Sequence, residues 1–271
     1  MDRYAVMGSP IQHSLSPRIH RLFAESSGQS LSYEAMLVAK DGFNQAVDDF
    51  FQSGGKGLNV TVPFKEQAWL LATKRSQRAE LAGAVNTLSL VDNEIYGENT
   101  DGVGLVRDIL QNHQYLIKGK RILIVGAGGA VRGVLAPILA EEPAELVLAN
   151  RTVSKAENLA THFQDYGKIQ ACGFELLNDR PFDLLINGSS ASLSGQLPPL
   201  PSTCIGPHSG CYDMMYSAKQ TVFNAWAAQQ GVAKVMDGLG MLVEQAAEAF
   251  FIWRQLRPVT GPVIKTIRNS L

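Results

Sequence analysis

A lysine and an aspartate in this chain have the chemistry to exchange a proton with an alcohol or a carbonyl oxygen. Lys65 follows Pro63 at the start of a predicted helix, where the positive end of the helix dipole disfavours the ammonium form. Asp101 stands directly before another predicted helix, and a carboxylate near Lys65 would keep that amine oriented and partly charged. The two residues form a candidate acid/base pair. The alternatives are a solvated surface lysine and an aspartate that only caps its helix.

Two serines and a threonine in the N-terminal part are candidate contacts for a polar ligand. Ser14 and Ser16 lie in a loop that becomes a helix at Pro17. Ser16 could instead cap that helix, whereas Ser14 has no comparable local duty. Thr61 lies on the polar face of a predicted strand, residues 58–62, because successive side chains of a strand point to opposite faces.

Two amide side chains extend this set. Asn86 stands beside a short apolar run, although asparagine is also common in turns. Gln245 lies on the otherwise apolar face of the last long predicted helix. A buried amide there requires hydrogen-bond partners, and a ligand hydroxyl would satisfy it.

A glycine-rich segment, GAGGA at residues 126–130, has the context of a dinucleotide site. It follows the apolar strand 121–125 and precedes a helical run over residues 131–139. Gly126 permits a tight turn, Gly128 removes a side chain that would block phosphates, and the helix N-terminus favours negative charge. Val131 stands where the strict motif has glycine or alanine, and we expect it to loosen the approach of helix to strand. The alternative is a strained turn without a ligand.

The next predicted strand ends about 20 residues beyond the glycines, where NAD enzymes place an acidic residue on the ribose. This chain instead has Asn150, Arg151, Thr152 and Lys155. Two cations and neutral hydrogen-bonding groups suit a 2′-phosphate, so the segment favours NADP over NAD. The alternative is a basic helix N-terminus exposed to water.

The elements that must position these residues alternate between short apolar strands and amphipathic helices. We predict strands at residues 4–7, 58–62, 94–96, 121–125, 146–149 and 184–187, and helices after Pro17, from Pro63, near Val103, over 131–139 and over 241–253. This alternation is typical of a parallel sheet covered by helices, so the predicted class is α/β.

Length and composition limit the remaining possibilities. The 271 residues suffice for two domains, and 45% hydrophobic with 18% charged residues is typical of a globular protein. A net charge of -1 argues against a nucleic-acid or anionic membrane partner. Three cysteines without a CxxC pair suit a reducing compartment, and no run reaches the ~20 apolar residues of a membrane span. We therefore expect a cytoplasmic protein without a metal site.

Seven segments, in order along the chain, resemble the shikimate dehydrogenase family. They are SLSP at 14–17, NVTVPFK at 59–65, AGAVNT at 82–87, NTDG at 99–102, GAGGA at 126–130, NRT at 150–152 and DGLGM at 237–241. The resemblance implies reversible, NADPH-dependent reduction of 3-dehydroshikimate to shikimate, an oxidoreductase step of chorismate and aromatic amino-acid biosynthesis.

The resemblance also assigns roles to residues. It implies Lys65 and Asp101 as the catalytic pair, and it implies substrate contacts from Ser14, Ser16, Thr61, Lys65, Asn86, Asp101, Tyr216 and Gln245. It implies NADP contacts from Gly126, Ala127, Gly128, Gly129, Ala130, Asn150, Arg151, Thr152, Lys155, Met214 and Gly238, with Met214, Tyr216 and Gly238 around the nicotinamide end. Departures from the family pattern include Gln77, where an acid is frequent, and NGSS at 187–190, where Asn-x-Thr-Ser is more usual.

The expected architecture is an N-terminal α/β substrate domain with a mostly parallel sheet, a Rossmann-type NADP-binding domain, and a cleft between them. The boundaries are 1–101 for the substrate-binding and catalytic domain, 102–237 for the Rossmann domain and 238–271 for C-terminal helices that return to the first. We expect a monomer or homodimer. Two other functions stay open: an NAD-dependent quinate/shikimate dehydrogenase, and a catalytically silent NADP-binding regulatory protein.

Overall fold

The computed structural model describes residues 1–177 and 180–271. The chain divides into two compact units. Unit 1 contains Met1–Gly104 and Val243–Ser270, and unit 2 contains Leu105–Leu242 with Leu271. Within the described ranges, none of the helices has the length and apolar character required to cross a membrane.

Unit 1 is built on a six-stranded mixed sheet. Its strands are β1 (Asp2–Gly8), β2 (Leu31–Leu37), β3 (Gly55–Val60), β4 (Lys74–Arg75), β5 (Thr87–Val91) and β6 (Glu94–Glu98), and they lie in the order β2-β1-β3-β5-β6-β4. β1 pairs in parallel with β2 and β3, and β4 pairs in parallel with β6. β5 runs antiparallel to both of its neighbours.

The helices of unit 1 are α1 (Ser16–Ser27), α2 (Phe43–Gln52), α3 (Lys65–Leu71), α4 (Gln77–Ala82), α5 (Asp101–Arg107), α9 (Leu239–Arg254) and α10 (Gly261–Arg268). α5 ends in unit 2, where a π-helical turn, Asp108–Asn112, follows it, and α9 begins in unit 2. Pro17 lies in the first turn of α1, where a backbone N–H would have no acceptor within the helix, so the missing N–H of proline costs no hydrogen bond. Gly28 ends the helix at φ 65°.

Several predicted boundaries are wrong by a few residues, and three of them lie beside Lys65 and Asp101. Strand β3 ends at Val60 instead of residue 62, and helix α3 begins at Lys65 instead of Pro63. Thr61 therefore lies in the turn after the strand. Helix α5 begins at Asp101, two residues before Val103. In each case turn residues join a strand to a helix, and hydrophobic periodicity does not resolve so short a connection.

The core of unit 1 lies between β1, β3 and β5 and the helices packed on them. Its largest members include Phe43, Phe50, Phe64, Leu58 and Leu88, all at most 2% exposed. Burial of such side chains provides the main drive for folding, at about 1.5–3 kcal/mol each. Phe64 directly precedes Lys65, so core packing fixes the chain where α3 begins.

Unit 2 has a six-stranded, fully parallel sheet in the order β12-β11-β10-β7-β8-β9. The strands are β7 (Arg121–Val125), β8 (Glu145–Ala149), β9 (Ile169–Cys172), β10 (Leu184–Asn187), β11 (Gly210–Asp213) and β12 (Lys234–Asp237). Helices α6 (Gly129–Ala140), α7 (Val153–Phe163) and α8 (Val222–Gln229) connect them, with short 3₁₀ turns at Gln164–Tyr166, Phe174–Leu176, Ser190–Ser194 and Ser202–Cys204.

The strand order of unit 2 is that of a doubly wound dinucleotide-binding fold. β7 lies at the centre, and Ile122, Leu123, Ile124 and Val125 are completely buried. A strand covered on both faces reads as a continuous apolar run, which is why its bounds were predicted correctly. In such sheets ligands bind beyond the carboxyl ends of the strands, where the order reverses. Gly126 follows β7 at that point.

Candidate active site

Lys65 and Asp101 are in direct contact in unit 1. The Lys65 Nζ lies 2.6 Å from Asp101 Oδ2, and the two side chains are 29% and 15% exposed. A charge-assisted hydrogen bond of this length holds the ammonium in one orientation while leaving it open to a ligand. The arrangement therefore can transfer a proton at Nζ.

Two backbone contacts bring Lys65 to this position. Its carbonyl accepts a hydrogen bond from the Val85 amide at 2.9 Å, so the first turn of α3 is tied to the segment before Asn86. The Asn86 amide in turn donates to the Glu98 carbonyl at 3.0 Å, three residues before Asp101. The three segments are thereby fixed side by side.

Asn86 and Gln245 lie in the same cluster. Asn86 Nδ2 donates to Asp101 Oδ1 at 2.8 Å and approaches Gln245 Oε1 at 3.3 Å. It also donates to the Thr100 hydroxyl at 2.9 Å, and Asn86 Oδ1 accepts from the Thr100 backbone amide at 2.9 Å. The structure thus brings the candidate pair of Lys65 and Asp101 together with Asn86 and Gln245, which the sequence proposed separately.

The helix-cap alternative for Asp101 receives no support from its contacts. Its recorded side-chain bonds go to Lys65 and Asn86, and its own amide donates to Asn99 Oδ1 at 3.1 Å. Asn99 is therefore the residue whose side chain binds an amide at the start of α5. The Asp101 carboxylate instead binds Lys65 and Asn86 in the cluster.

The expectation about the two serines has to be corrected. Ser14 Oγ accepts a hydrogen bond from the Ser16 backbone amide at 3.3 Å, so Ser14 has a local structural role at the start of α1. Leu15 occupies the cap position without a side-chain cap, and Ser16 is the first residue of the helix. Among the described residues, no hydrogen bond joins Ser14 or Thr61 to the Lys65 cluster. Thr61 lies against Gly8 at the end of β1, where its Cγ2 would be 2.5 Å from an added Cβ.

In unit 2 the loop between β7 and α6 fits a pyrophosphate. Gly126 has φ 112°, a conformation that favours glycine, and its amide donates to the Ala149 carbonyl at 2.8 Å. A Cβ built on Gly128 or Gly129 meets no atom within 4 Å, so the space before the α6 N-terminus is open. Ala127 is half-buried in this loop, and Ala130 is exposed in the first turn of α6. Open space, a positive helix end and free approach to backbone amides together suit an anionic group.

Val131 does not loosen the packing of α6, contrary to the prediction. It is completely buried, and a Cβ on Gly188 would lie 2.5 Å from its Cγ2. The departure from the strict glycine motif at position 131 is therefore accommodated by the glycine at position 188. The larger side chain on the helix occupies the volume that glycine leaves free on the loop after β10.

The segment after β8 lines a pocket. Asn150 Nδ2 donates to the Thr152 carbonyl at 2.8 Å, which shapes the turn, while Arg151, Thr152 and Lys155 are exposed. A cavity of about 690 Å³ is lined by Asn150, Arg151, Phe174, Glu175, Pro199, Leu200 and Pro201. Its basic and polar side can hold a phosphate, and its apolar side can hold a flat ring.

Met214 and Gly238 are close to each other in unit 2. A Cβ on Gly238 would lie 2.1 Å from the Met214 carbonyl oxygen, and the Gly238 amide donates to the Met215 carbonyl at 3.1 Å. Only glycine permits this approach. Tyr216 follows in the same loop, and burial raises its pKa above the ordinary value. The buried Asp213 carboxylate accepts the Met215 amide at 3.1 Å and so anchors the loop.

Sequence reasoning missed several residues that the structure places around these sites. The cavity lining from Phe174, Glu175 and residues 199–201 comes from loops after other strands, and no motif marked it. Glu175 lines the same cavity as Arg151, although the sequence showed no acid directly after β8. Thr87, inside AGAVNT, could have been singled out because a polar residue follows Asn86 in an otherwise apolar run.

Comparison with known proteins gives matches along most of the chain. Residues 6–88 match the family model of the shikimate dehydrogenase substrate-binding domain, and residues 107–192 match that of shikimate / quinate 5-dehydrogenase. Residues 238–268 match the shikimate 5'-dehydrogenase C-terminal domain.

Individual proteins match over almost the whole length. A protein of Hahella chejuensis named shikimate dehydrogenase (NADP(+)) is 58% identical over 270 residues, covering 100% of both chains. The crystal structure of an Ael1 enzyme from Pseudomonas putida has a TM-score of 0.95 at 47% identity, with 98% of each chain covered. Shikimate 5-dehydrogenase from Thermus thermophilus, solved with NADP(H) and shikimate, has a TM-score of 0.87 at 32% identity over 100% of both chains.

Proposed function

The chain belongs to the shikimate dehydrogenase family, and from that premise we propose that it reversibly reduces 3-dehydroshikimate to shikimate with NADPH, using Lys65 and Asp101 as its acid/base pair. The observation that carries the proposal is the 2.6 Å contact between these two side chains, in one cluster with Asn86 and Gln245. A ketone that becomes an alcohol needs a proton on its oxygen, and this cluster offers one.

The chemistry divides between the cofactor and the chain. NADPH, when bound, supplies a hydride to the carbonyl carbon. Lys65 gives a proton from Nζ to the carbonyl oxygen and takes it back in the reverse direction. Asp101 keeps the ammonium oriented and stabilises its charge. Asn86 and Gln245 bind substrate hydroxyls, and Thr61 and Tyr216 provide further hydrogen bonds to the substrate. Ser14 and Ser16 bind its carboxylate as neutral donors.

We assign the NADP site to unit 2. The loop from Gly126 to Ala130 would hold the pyrophosphate at the start of α6, where the open space and helix dipole suit it. Asn150, Arg151, Thr152 and Lys155 would bind the 2′-phosphate through neutral groups and two cations. Met214 and Gly238 would contact the nicotinamide end, with Tyr216 in the same loop.

The proposal is tested by absorbance at the reduced-nicotinamide band when pure protein is mixed with shikimate and NADP. We expect NADPH to form at a rate proportional to protein concentration. Absence of any NADPH would contradict the function and would favour a catalytically silent NADP-binding protein.

The same assay separates the NAD-dependent quinate/shikimate dehydrogenase. Rates are measured with shikimate and quinate, each with NADP and NAD. We expect the highest kcat/KM with shikimate and NADP, because Arg151 and Lys155 offer positive charge to the 2′-phosphate. Equal or higher kcat/KM with quinate and NAD would overturn this choice.

We further propose a cytoplasmic monomer or homodimer with small-molecule ligands and no nucleic-acid or membrane partner. The net charge of -1 and the three free cysteines support this proposal. Light scattering coupled to size-exclusion chromatography gives the mass in solution. A mass near that of a tetramer would contradict it.

A further inference from the structure

A chain of hydrogen bonds leads to Asp101 from residues to which the proposed function gives no role. Tyr33 Oη donates to Asn59 Oδ1 at 2.7 Å, and Asn59 Nδ2 donates to Thr87 Oγ1 at 3.1 Å. Thr87 Oγ1 donates to Asn86 Oδ1 at 3.0 Å, and Asn86 Nδ2 donates to Asp101 Oδ1 at 2.8 Å. We call these five residues the donor chain.

The direction of the donor chain is determined at its Asp101 end. The Thr100 backbone amide can only donate, and it lies 2.9 Å from Asn86 Oδ1. The ionised Asp101 carboxylate can only accept, and it lies 2.8 Å from Asn86 Nδ2. If the Asn86 amide were flipped, its Oδ1 would face the Asp101 carboxylate and its Nδ2 would face the Thr100 amide, and neither pair could form a hydrogen bond. Asn86 therefore has one orientation.

The direction at Asn59 is determined in the same way. Asn59 Nδ2 also donates to the Asn86 backbone carbonyl, a pure acceptor, at 3.1 Å. Its Oδ1 must then face Tyr33, whose hydroxyl has to donate. Burial raises the pKa of Tyr33 well above its ordinary value, so the phenol keeps its proton. The His20 ring stacks on the Tyr33 ring at a centroid distance of 4.1 Å and fixes its plane.

Thr87 is the member that connects the two amides. Its hydroxyl accepts from Asn59 and donates to Asn86, and the residue is only 1% exposed. In a buried site each such bond strengthens the next, and an unpaired member is expensive. Removing the hydroxyl would leave Asn59 Nδ2 with one acceptor fewer and Asn86 Oδ1 with one donor fewer. Asn86 would lose the bond that connects its amide to Asn59 through Thr87, so the amide and the Asp101 carboxylate that it binds would be held less firmly.

We propose that Thr87 and Tyr33 are positioning residues for the reaction: through Asn59 and Asn86 they hold the Asp101 carboxylate in the orientation that keeps Lys65 aligned. The proposal rests on the proposed function, because it assumes that Lys65 and Asp101 exchange the proton. It extends that function to two residues that need not touch substrate or cofactor.

Substitutions at Thr87 test the proposal directly. Thr87→Val has nearly the same shape without the hydroxyl, and Thr87→Ser keeps the hydroxyl. We expect Thr87→Val to lower kcat by about 10- to 100-fold, the scale of a misplaced catalytic group, with the KM for NADP unchanged. We expect Thr87→Ser to stay within about 2-fold of the wild type. Ser89→Ala, two residues further along the same strand and outside the donor chain, is the matched control.

A solvent isotope effect separates positioning from loss of folded protein. If Asp101 and Lys65 are misaligned, proton transfer becomes slower and the solvent deuterium isotope effect on kcat rises in Thr87→Val. A variant that only folds less well has fewer active molecules but the same isotope effect. Tyr33→Phe should show the same rise with a smaller loss of kcat, about 2- to 10-fold, the scale of one hydrogen bond.

Several outcomes would overturn the proposal. Unchanged kcat in Thr87→Val, or an equal loss of kcat in Thr87→Ser, would show that the Thr87 hydroxyl does not position Asp101. A lower kcat with an unchanged isotope effect would make Thr87 a purely structural residue. These results are distinguishable from failure of the proposed function, which would show as absence of turnover in the wild type.

Discussion

Arg78 donates two hydrogen bonds to the buried carboxylate of Glu98. Its Nε lies 3.1 Å from Glu98 Oε1 and its Nη2 lies 2.9 Å from Oε2, while Nη1 lies 3.6 Å from Glu248 on α9. Glu98 also accepts the Asn99 amide at 2.8 Å. One guanidinium thus connects the end of β6, next to Asp101, with the helix that carries Gln245.

Replacing this arginine should destabilise unit 1. Arg78→Met leaves Glu98, whose side chain is 7% exposed, as a buried charge without its cation. Arg78 is itself about a third exposed. We therefore expect the free energy of unfolding to fall by about 3 kcal/mol, the lower end of the range for breaking a buried ion pair. Urea denaturation measures the free energy of unfolding.

The control for Arg78 is the surface pair of Lys74 and Glu94, whose side chains are 64% and 46% exposed. Lys74→Met should change the free energy of unfolding by at most about 1 kcal/mol. If Arg78→Met and Lys74→Met lower the free energy of unfolding equally, pairing with Arg78 does not stabilise the buried Glu98 carboxylate.

Lys65→Ala should remove the proton donor without disturbing the NADP site. We expect kcat to fall by roughly 10²-fold or more, the usual contribution of general acid–base catalysis. NADP affinity, measured by calorimetry, should stay nearly unchanged because the proposed cofactor contacts lie in unit 2. Lys56→Ala, an exposed lysine of β3, is the control. Unchanged turnover would return Lys65 to the role of a surface lysine.

Gly188→Ala should be rescued by a second substitution. The new methyl group would lie 2.5 Å from Val131 Cγ2 and 3.0 Å from Met214 Sδ, so overpacking should reduce stability by about 1–3 kcal/mol. Val131→Ala in the same chain removes the first clash. We expect the double variant to unfold at higher urea than Gly188→Ala alone. If it is less stable instead, the two positions do not compensate.

Arg151→Gln should change cofactor preference. A hydrogen bond to a charged group contributes about 1.5–3 kcal/mol, so the KM for NADP should rise about 10-fold or more while that for NAD stays unchanged. Lys168→Gln, at a different exposed site of unit 2, is the control for net charge. A parallel rise with both cofactors would mean that Arg151 does not bind the 2′-phosphate.

The buried imidazole of His20 should make stability depend on pH. Its side chain is 1% exposed, and burial lowers its pKa from 6.5 to about 3. Between these values the unfolded chain binds a proton that the folded chain excludes. The free energy of unfolding should therefore decrease as pH falls from 6.5 towards 3, by up to about 1.4 kcal/mol per pH unit from this group.

His20→Phe keeps an aromatic ring against Tyr33 and removes the titrating group. We expect a shallower dependence of the free energy of unfolding on pH in this variant than in the wild type. His208→Phe, at an exposed position, is the control. The same slope in His20→Phe as in the wild type would mean that His20 is protonated in both states or in neither.

The sequence by itself determined the α/β class and the central strands of unit 2. Residues 121–125 and 184–187 were predicted with their observed bounds because strands buried on both faces are continuously apolar and end at polar or glycine residues. The family pattern likewise marked Lys65, Asp101, Asn86 and Gln245 as candidate site residues.

Only the tertiary structure decided how these residues meet. Asn86 and Gln245 are 159 positions apart, yet their side chains approach within 3.3 Å, and Thr87 joins two amides that no motif connects. Hydrophobic periodicity reports which face of an element is buried, whereas convergence of polar groups depends on how distant elements pack. For the same reason the sequence could not show that Gly188 makes room for Val131, or that Ser14 binds the Ser16 amide.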